Sequence, residues 1–207
     1  MKKISLLLFA FGLSMTMFAQ GDAKFGIKAG VNISSTTNNE GGGTDALVGF
    51  HVGALAHIHL NPEWALQPEI VYSSQGGKYY ISDGEHHLIL NYVNVPVLVQ
   101  YMLGTGFRLQ TGPQVGFLVS AKDKRGSYDT GNVDDRDFKS TDFSWAFGLG
   151  YLATSGLGVD ARYNLGISNI NNTSRTADVR NSVFQFGLFY QFNNTGYTHS
   201  RYGHRRR

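Results

Sequence analysis

Two histidines and five charged residues are the side chains in this 207-residue sequence whose types and spacing suggest chemistry. His57 and His59 lie two positions apart, so both would face the same side of a β-strand, where neutral imidazoles can converge on a metal ion. Such a site needs a third ligand, and Glu69 on the next strand is the candidate. The alternative is that both rings line a protein interior through hydrogen bonds. We therefore predict no metal site and keep these two histidines as the residues that would hold one.

The five charged residues fall on strand faces that otherwise carry glycine, asparagine and glutamine. They are Lys28, Glu69, Arg108, Asp160 and Arg162. Buried charges must be paired, because desolvation costs several kcal/mol per ion. We expect these residues to form a salt-bridged network that fills a protein interior. A polar passage lined by the same side chains is the alternative.

The sequence contains no recognisable catalytic constellation. It has no cysteine, which excludes thiol catalysis and zinc–thiolate sites. No G-x-S-x-G motif or phosphate-binding glycine loop is present. His199 with Ser200 falls in the tail, and His86 and His87 lie in a polar loop with Asp83 and Glu85. We predict neither a catalytic residue nor a cofactor, and a barrel enzyme that acts on lipid or peptide remains an alternative.

The elements that must position these residues are β-strands. The segment NSVFQFGLFYQF (181–192) shows the pattern, because every second residue is large and apolar. Similar alternation recurs between turn-forming clusters. We predict eight strands, at about 24–33, 48–60, 64–76, 88–102, 107–120, 143–152, 157–168 and 181–192, with boundary errors of about 2–4 residues.

Short and long connections alternate along the chain without exception. The short ones are 61–63, 103–106 and 153–156, and the long polar ones are 34–47, 77–87, 121–142 and 169–180. A bacterial outer-membrane barrel has this arrangement, with short periplasmic turns and longer extracellular loops. The aromatic residues near the short-turn end match an interfacial girdle. We therefore predict an all-β fold, an eight-stranded antiparallel up-and-down transmembrane β-barrel, whose apolar strand faces point towards lipid.

A soluble, lipocalin-like barrel with its apolar residues inside is the alternative. It accounts for the alternation of residue types but not for the loop asymmetry or the girdle. The glycine-rich second faces also favour the membrane barrel, since glycine makes a poor solvent face and leaves room inside a narrow lumen. Pro68, Pro96 and Pro113 lie inside predicted strands, and each must sit at a bulge or lose a ladder hydrogen bond.

The two ends of the chain are predicted to lie outside the barrel. Residues 1–19 have the basic start, apolar run and small-residue end of a signal peptide. Residues 20–192 would form the barrel and residues 193–207 a basic, disordered tail. The two ends carry +6 and the segment 20–192 carries −3, which gives the formal net charge of +3, so nucleic acid is not an expected partner of the barrel. Localisation in the cell outer membrane follows, with both mature termini in the periplasm.

Several segments resemble one known family. They are GIKAGVNIS (26–34), LQPEIVYSSQGGK (66–78), LNYVNVPVLVQY (90–101), GPQVGFLVSAK (112–122), GLGVDARYNLGISNI (156–170) and VFQFGLFYQF (183–192). In this order they resemble the Bacteroidota-type small outer-membrane β-barrel family, whose members are often labelled porin-family or PorT-like proteins. The resemblance implies an eight-stranded barrel, tolerates prolines within strands and implies no shared biochemical activity. Some relatives are associated with the type IX secretion system.

The resemblance also implies a role for the last strand. Such barrels commonly end on an aromatic residue that the barrel-assembly machinery recognises during insertion. The corresponding residues here are Phe184, Phe186, Leu188, Tyr190 and Phe192. This chain departs from the pattern because fifteen residues follow Phe192.

We expect a non-enzymatic structural or accessory component of the outer membrane. Its partners would be outer-membrane lipid, the assembly machinery and an envelope or secretion-complex protein that binds its loops or tail. The long charged loop 121–142 is a candidate docking element for a protein or a surface polysaccharide. A narrow pore for ions or small solutes is the first alternative, although eight strands enclose a lumen that side chains can fill.

Overall fold

The protein is described by a computed structural model that covers residues 23–38, 42–82, 84–125, 128–132, 139–170 and 178–192. The predicted signal peptide (1–19) and tail (193–207) lie outside the described residues, as do His199, Ser200, Asp83 and part of the loop 121–142.

The described residues form nine β-strands, joined by turns and irregular connections. They are β1 (Ala23–Asn38), β2 (Leu47–His59), β3 (Trp64–Ile81), β4 (Gly84–Met102), β5 (Phe107–Arg125), β6 (Tyr128–Asn132), β7 (Thr141–Leu152), β8 (Leu157–Gly166) and β9 (Val179–Gln191).

Eight of these strands close into a ring, as predicted. Each pairs antiparallel with its neighbours in the order β1, β2, β3, β4, β5, β7, β8 and β9, and β9 returns to β1. The closing pair runs from Gly26 opposite Gln191 to Asn38 opposite Val179. Closure removes the sheet edges, so the backbone of the ring can be satisfied internally, which a lipid environment requires. The short β6 lies outside the ring and pairs only with the end of β5.

Glycine and asparagine shape the turns at the short-connection end. Asn61 Oδ1 accepts hydrogen bonds from the backbone N–H groups of Glu63 and Trp64, at 2.9 and 2.8 Å. Gly104 and Gly106 have φ angles of 71° and 93°, which glycine adopts without the penalty that other residues incur. All three short turns join strands whose opposite ends reach the long connections.

The prediction of the loop 77–87 was wrong. Residues 75–81 and 84–90 continue β3 and β4 as a paired ribbon, which extends from Gln75 opposite Leu90 to Ile81 opposite Gly84. The same applies to the start of the predicted loop 121–142, where β5 continues to Arg125. These parts lack the apolar alternation used to predict strands because they project beyond the ring's apolar belt.

The three strand prolines interrupt the ladder without shifting it. Pro68 stays opposite Val97 on β4, while pairing with β2 lapses beside it; Pro96 and Pro113 likewise keep a partner on one side only. The register is the same before and after each gap, so each proline forfeits hydrogen bonds rather than sitting at a bulge. The one register shift between ring strands lies elsewhere, between Asn91 and Tyr92 on the β4–β5 pair.

Candidate functional site

The lumen of the barrel is polar and filled by side chains. Alternate residues of each strand point inward, and the buried polar set includes residues from all eight ring strands. Its members include Lys28, Asn32, His51, His57, Gln67, Glu69, Asn94, Gln100, Arg108, Gln110, Gln114, Ser144, Arg162, Asn164, Gln185 and Gln191. This composition is the reverse of a soluble barrel, whose lumen would hold the apolar residues.

Four of the five predicted interior charges meet at the centre of the lumen. Lys28 Nζ donates to Asp160 Oδ2 at 2.9 Å and to Glu69 Oε2 at 3.4 Å. Arg162 forms a two-pronged pair with Glu69, at 3.0 Å from Nη1 to Oε2 and 2.8 Å from Nη2 to Oε1. Arg162 Nη2 also lies 3.6 Å from Asp160 Oδ2. These residues, which we call the central network, carry two positive and two negative charges.

Several donors hold the Glu69 carboxylate of the central network in place. Gln67 Nε2 donates to Glu69 Oε1 at 2.8 Å. Glu69 is thus held by Lys28, Arg162 and Gln67, and it is 2% exposed. A buried carboxylate with this many donors is stabilised as an anion, and it joins strands β1, β3 and β8 across the lumen.

Glycine makes room for the central network. A Cβ atom added at Gly187 would lie 2.7 Å from Asp160 Oδ1 and 3.0 Å from His51 Nε2. At Gly30, an added Cβ would clash with the backbone oxygen of Phe186. Inward glycines thus let neighbouring strands bring large polar side chains to the axis.

The structure places Arg108, the fifth predicted charge, apart from the central network. Arg108 Nη1 lies 3.5 Å from Gln100 Oε1, and its guanidinium carbon is 5.5 Å from the centroid of the Phe189 ring. The sequence places all five charges on inward faces, but it does not show which of them share a level of the barrel.

His57 and His59 pack against each other rather than converging on a common point. Their ring centroids are 4.5 Å apart and the rings are nearly perpendicular. Glu69, the candidate third ligand, is engaged by Lys28 and Arg162. Within the described part of the chain, no group of three His, Cys, Asp or Glu residues is arranged to hold a metal ion.

A buried apolar cluster lies at the long-connection end of the barrel. Leu90, Tyr92, Ala121 and Ile170 are all at most 1% exposed, and Leu88, Leu118 and Val179 pack against them. Ile170 comes from the connection after β8, where its backbone N–H donates to the oxygen of Val179 at 2.9 Å. Sequence reasoning missed this cluster because it treated residues 169–180 as a polar loop.

The outside of the ring is an apolar belt. Its exposed members include residues of all eight ring strands, such as Phe25, Ile27, Val31, Val48, Phe50, Ile70, Val97, Leu109, Val119, Phe147, Leu149, Val159, Leu165 and Leu188. The five terminal-strand residues, Phe184, Phe186, Leu188, Tyr190 and Phe192, are also exposed. On β2, Ala56 and Ile58 continue the alternation of apolar residues but are buried.

Aromatic rings gather at the short-turn end of this belt. Trp64 lies 4.9 Å from Tyr101, and Phe107 lies 4.9 Å from Tyr151, between ring centroids. The rings of Tyr190 and Phe192 are 5.5 Å apart. This arrangement is the girdle expected where a barrel meets a membrane interface. Among the described residues, no helix is long and apolar enough to cross a membrane.

The paired ribbon of residues 75–90 carries an exposed ionic group beyond the belt. Glu85 accepts hydrogen bonds from Tyr80 Oη at 2.7 Å and approaches His87 Nε2 at 2.6 Å and Lys78 Nζ at 3.4 Å. The bond with His87, followed by that with Tyr80, lowers the pKa of Glu85 from 4.5 to about 2. On the other side of the ribbon, His86 Nδ1 lies 2.9 Å from Asp123 Oδ2. These contacts brace the ribbon.

Comparison with known proteins agrees with this architecture. The sequence model of one family, described as "Outer membrane protein beta-barrel domain", matches residues 18–172. No curated protein matches the chain.

Two solved structures illustrate the fold. Ail, the attachment invasion locus protein of Yersinia pestis, solved with the heparin analogue sucrose octasulfate, is 17% identical, with a TM-score of 0.50 over 82% of this chain and 99% of that chain. Neisserial surface protein A (NspA) is 16% identical, with a TM-score of 0.53 over 82% of this chain and 99% of that chain. With its closed eight-stranded ring, apolar exterior and matching family model, this chain belongs to the outer membrane protein beta-barrel domain family and is an outer-membrane β-barrel protein.

Proposed function

We propose that the protein is a non-enzymatic accessory component of the outer membrane that binds a protein partner through its long-connection end or its tail. The partner would belong to a secretion or envelope-assembly complex, in keeping with the resemblance to PorT-like proteins. Both mature termini would lie in the periplasm, and the long connections would lie outside the cell.

The filled lumen is the observation that carries this proposal. The central network places four fully paired charges across the lumen, with side chains 0–9% exposed. The buried apolar cluster around Ile170 adds side chains at the long-connection end. A lumen occupied in this way favours a scaffold that displays its surface over a channel for solutes.

The ribbon of residues 75–90 is the part of the described chain best suited to contact a partner. It projects beyond the apolar belt, and hydrogen bonds and ion pairs hold its residues in place. Tyr80 is 64% exposed, and tyrosine is enriched at protein interfaces because it offers a large rigid surface with a polar tip. A preorganised element also loses little entropy on binding.

Co-purification from native membranes tests the proposal. Tagged full-length protein would be extracted in mild detergent and compared with two variants. One replaces residues 78–87 by Asn-Gly, which supports a two-residue hairpin turn, and the other deletes residues 193–207. We expect one envelope protein to be recovered with the wild type and lost with one variant. Recovery of the same proteins with all three chains, or of none, would contradict the proposal.

Orientation is tested with single cysteines, since the chain has none of its own. Tyr80→Cys on the ribbon and Leu103→Cys on a short turn are matched sites, because both residues are exposed. In intact cells, a membrane-impermeant maleimide should label the first variant and not the second. The reverse labelling would place the long connections in the periplasm.

A narrow pore remains a second candidate because several buried lumen atoms make no hydrogen bond with protein. They are His51 Nε2, Gln67 Oε1, Arg162 Nε, Asn164 Oδ1 and Gln191 Nε2, among others. Buried polar groups of this kind are usually satisfied by water. Conductance across planar bilayers tests this function, and single-channel steps abolished by changing Arg108 or Arg162 would favour the pore over the accessory role.

A further inference from the structure

Basic residues line up on one outward face where β3, β4 and β5 leave the membrane belt. Lys78 lies opposite His87, and His87 lies opposite Lys124, so the three residues form a row across three strands. Lys122 lies two residues before Lys124 on β5 and therefore points the same way. We call these four residues the basic face.

A bulge turns the two β5 lysines outward. Below it, the even-numbered residues Arg108, Gln110 and Gln114 are buried in the lumen. The register shifts between Asn91 and Tyr92, where Ser120 and Leu118 are the successive partners and Val119 is the extra residue. Above this shift, Ala121 is buried and the even-numbered lysines lie on the outer side. Bulges commonly re-aim side chains in this way.

The basic face begins, at Lys122, at the depth of a lipid headgroup layer. Val119, 57% exposed, is the last apolar residue of the belt on β5, and the polar pair Asn91–Ser120 follows it, with a hydrogen bond of 2.9 Å. Lys122 is three residues beyond Val119, about 10 Å along the strand, or about 8 Å along the membrane normal at the usual strand tilt. The interfacial layer on each side of the hydrocarbon core is about 5–8 Å thick.

Charge is available on this face for an anionic ligand. Glu85 engages Lys78 and His87. Asp129 on β6 is at the register position opposite Lys124. Among the described side chains, Lys122 and Lys124 take part in no ion pair, so the row retains more cations than acids. Lysine stems can lie along apolar surface while the ammonium group reaches the interface.

We propose that the basic face binds the phosphate groups of a phosphorylated glycolipid in the outer leaflet, with Lys122 and Lys124 as the principal contacts. This inference rests on the proposed orientation, which puts the long connections outside the cell. The lipid source is favoured over a soluble phosphate because the face continues directly from the apolar belt. A bound glycolipid would cover β3–β5 and leave the tip of the ribbon open to a protein.

A titration of the purified full-length protein in detergent tests the inference. The probes are bisphosphorylated lipid A, lipid A stripped of its phosphates, and inorganic phosphate. We expect the bisphosphorylated lipid to bind at least about 20-fold more tightly than the stripped lipid. The double variant K122Q/K124Q should weaken this binding by about 25-fold at low salt, at about fivefold for each basic residue near an anionic headgroup.

A control substitution separates this site from general attraction. Arg180 on β9 is an exposed cation at the same end of the barrel, and β9 pairs with β1 and β8 rather than with β3–β5. Its match is the single variant K122Q, which should weaken lipid binding by about fivefold. R180Q should change lipid affinity by less than about twofold, and heat-modifiable mobility should show that all the variants fold. Equal losses in K122Q and R180Q, equal binding of the two lipids, or displacement by inorganic phosphate would each overturn the inference.

The result is distinguishable from failure of the proposed function. K122Q/K124Q leaves residues 78–87 and the tail intact, so co-purification of the partner should persist when lipid binding is lost. The cysteine labelling of Tyr80→Cys reports orientation on its own. Lipid binding that persists in K122Q/K124Q would overturn the inference about the basic face and leave the proposed function untouched.

Discussion

Glu69 is the side chain on which the central network depends. It accepts both prongs of Arg162 and lies 3.4 Å from Lys28 Nζ. The alternation of apolar and polar residues along the strands was enough to predict that these residues face inward. Their partnership could not be predicted, because it depends on how far each strand is staggered around the ring. Arg108 is an example. Its inward position was predicted, but its contacts with Gln100 and Phe189 were not.

We expect Glu69→Gln to reduce the free energy of unfolding by about 3–5 kcal/mol, because it leaves two buried cations short of a carboxylate. Urea titration of the protein in lipid vesicles measures this change. Glu63→Gln, on an exposed turn, is the control and should change stability by less than about 0.5 kcal/mol. Adding Arg162→Gln to the first variant should recover part of the loss, since Lys28 keeps Asp160. A loss no larger than that of the control would show that the network is not stabilising.

Glu85 gives a pH-dependent prediction outside the membrane. Its pKa is lowered to about 2, chiefly by the bond with His87. A carboxyl whose pKa is lower in the folded state stabilises that state above its unfolded pKa of 4.5, and this contribution is lost as the pH falls through about 2. Carbon NMR of Glu85 should show titration near pH 2, and His87→Gln should raise the midpoint towards 4.5. An unchanged midpoint in the variant would rule out His87 as the cause.

At the scale of elements, the sequence predicts the belt better than the connections. Within the membrane, one face of each strand meets lipid and the other faces the lumen. Apolar and polar residues therefore alternate, and the strands can be recognised from the sequence. The ribbon residues Lys78 and His87 lie beyond the hydrocarbon layer, where this contrast disappears. The hairpin 77–87 was therefore predicted as a loop, although residues 77–81 pair with residues 84–88. The bulge at Val119 could not be predicted from the sequence either, because residues 117–119 are all apolar and show no change in the alternation.

Replacing residues 78–87 by Asn-Gly should leave the barrel folded. Outside the ribbon, this change removes the two backbone bonds between Asp45 and Lys78, at 2.8 and 3.0 Å, and the β4–β5 pairing of residues 86–87 with residues 124–125. We expect the free energy of unfolding to fall by less than about 4 kcal/mol, at about 1 kcal/mol for each bond. Heat-modifiable mobility and urea unfolding in vesicles measure the outcome. Failure of this variant to fold, while the wild type folds, would mean that the ribbon nucleates the barrel.

For the whole molecule, the decisive property is which face meets lipid. Every ring strand presents exposed apolar residues outward and buried polar residues inward. A charge introduced on the outer face should therefore cost an amount that depends on its depth in the membrane. Leu188 lies at the middle of the outward row of β9, between Phe184 and Phe192, and Val48 lies near the long-connection end of β2; both are exposed.

Arginine at the bilayer midplane of such barrels costs about 2–4 kcal/mol, whereas near an interface it costs about 0–1 kcal/mol. We expect Leu188→Arg and Val48→Arg to show these two costs when unfolding is measured in lipid vesicles. In a soluble barrel with a water-facing exterior, both substitutions would be nearly neutral, and their effects on the free energy of unfolding would not depend on position along the barrel. Equal, small effects at the two positions would thus contradict the membrane-facing belt. A large cost at Leu188 alone would support it, because only a hydrocarbon layer penalises the same exposed charge differently along one surface.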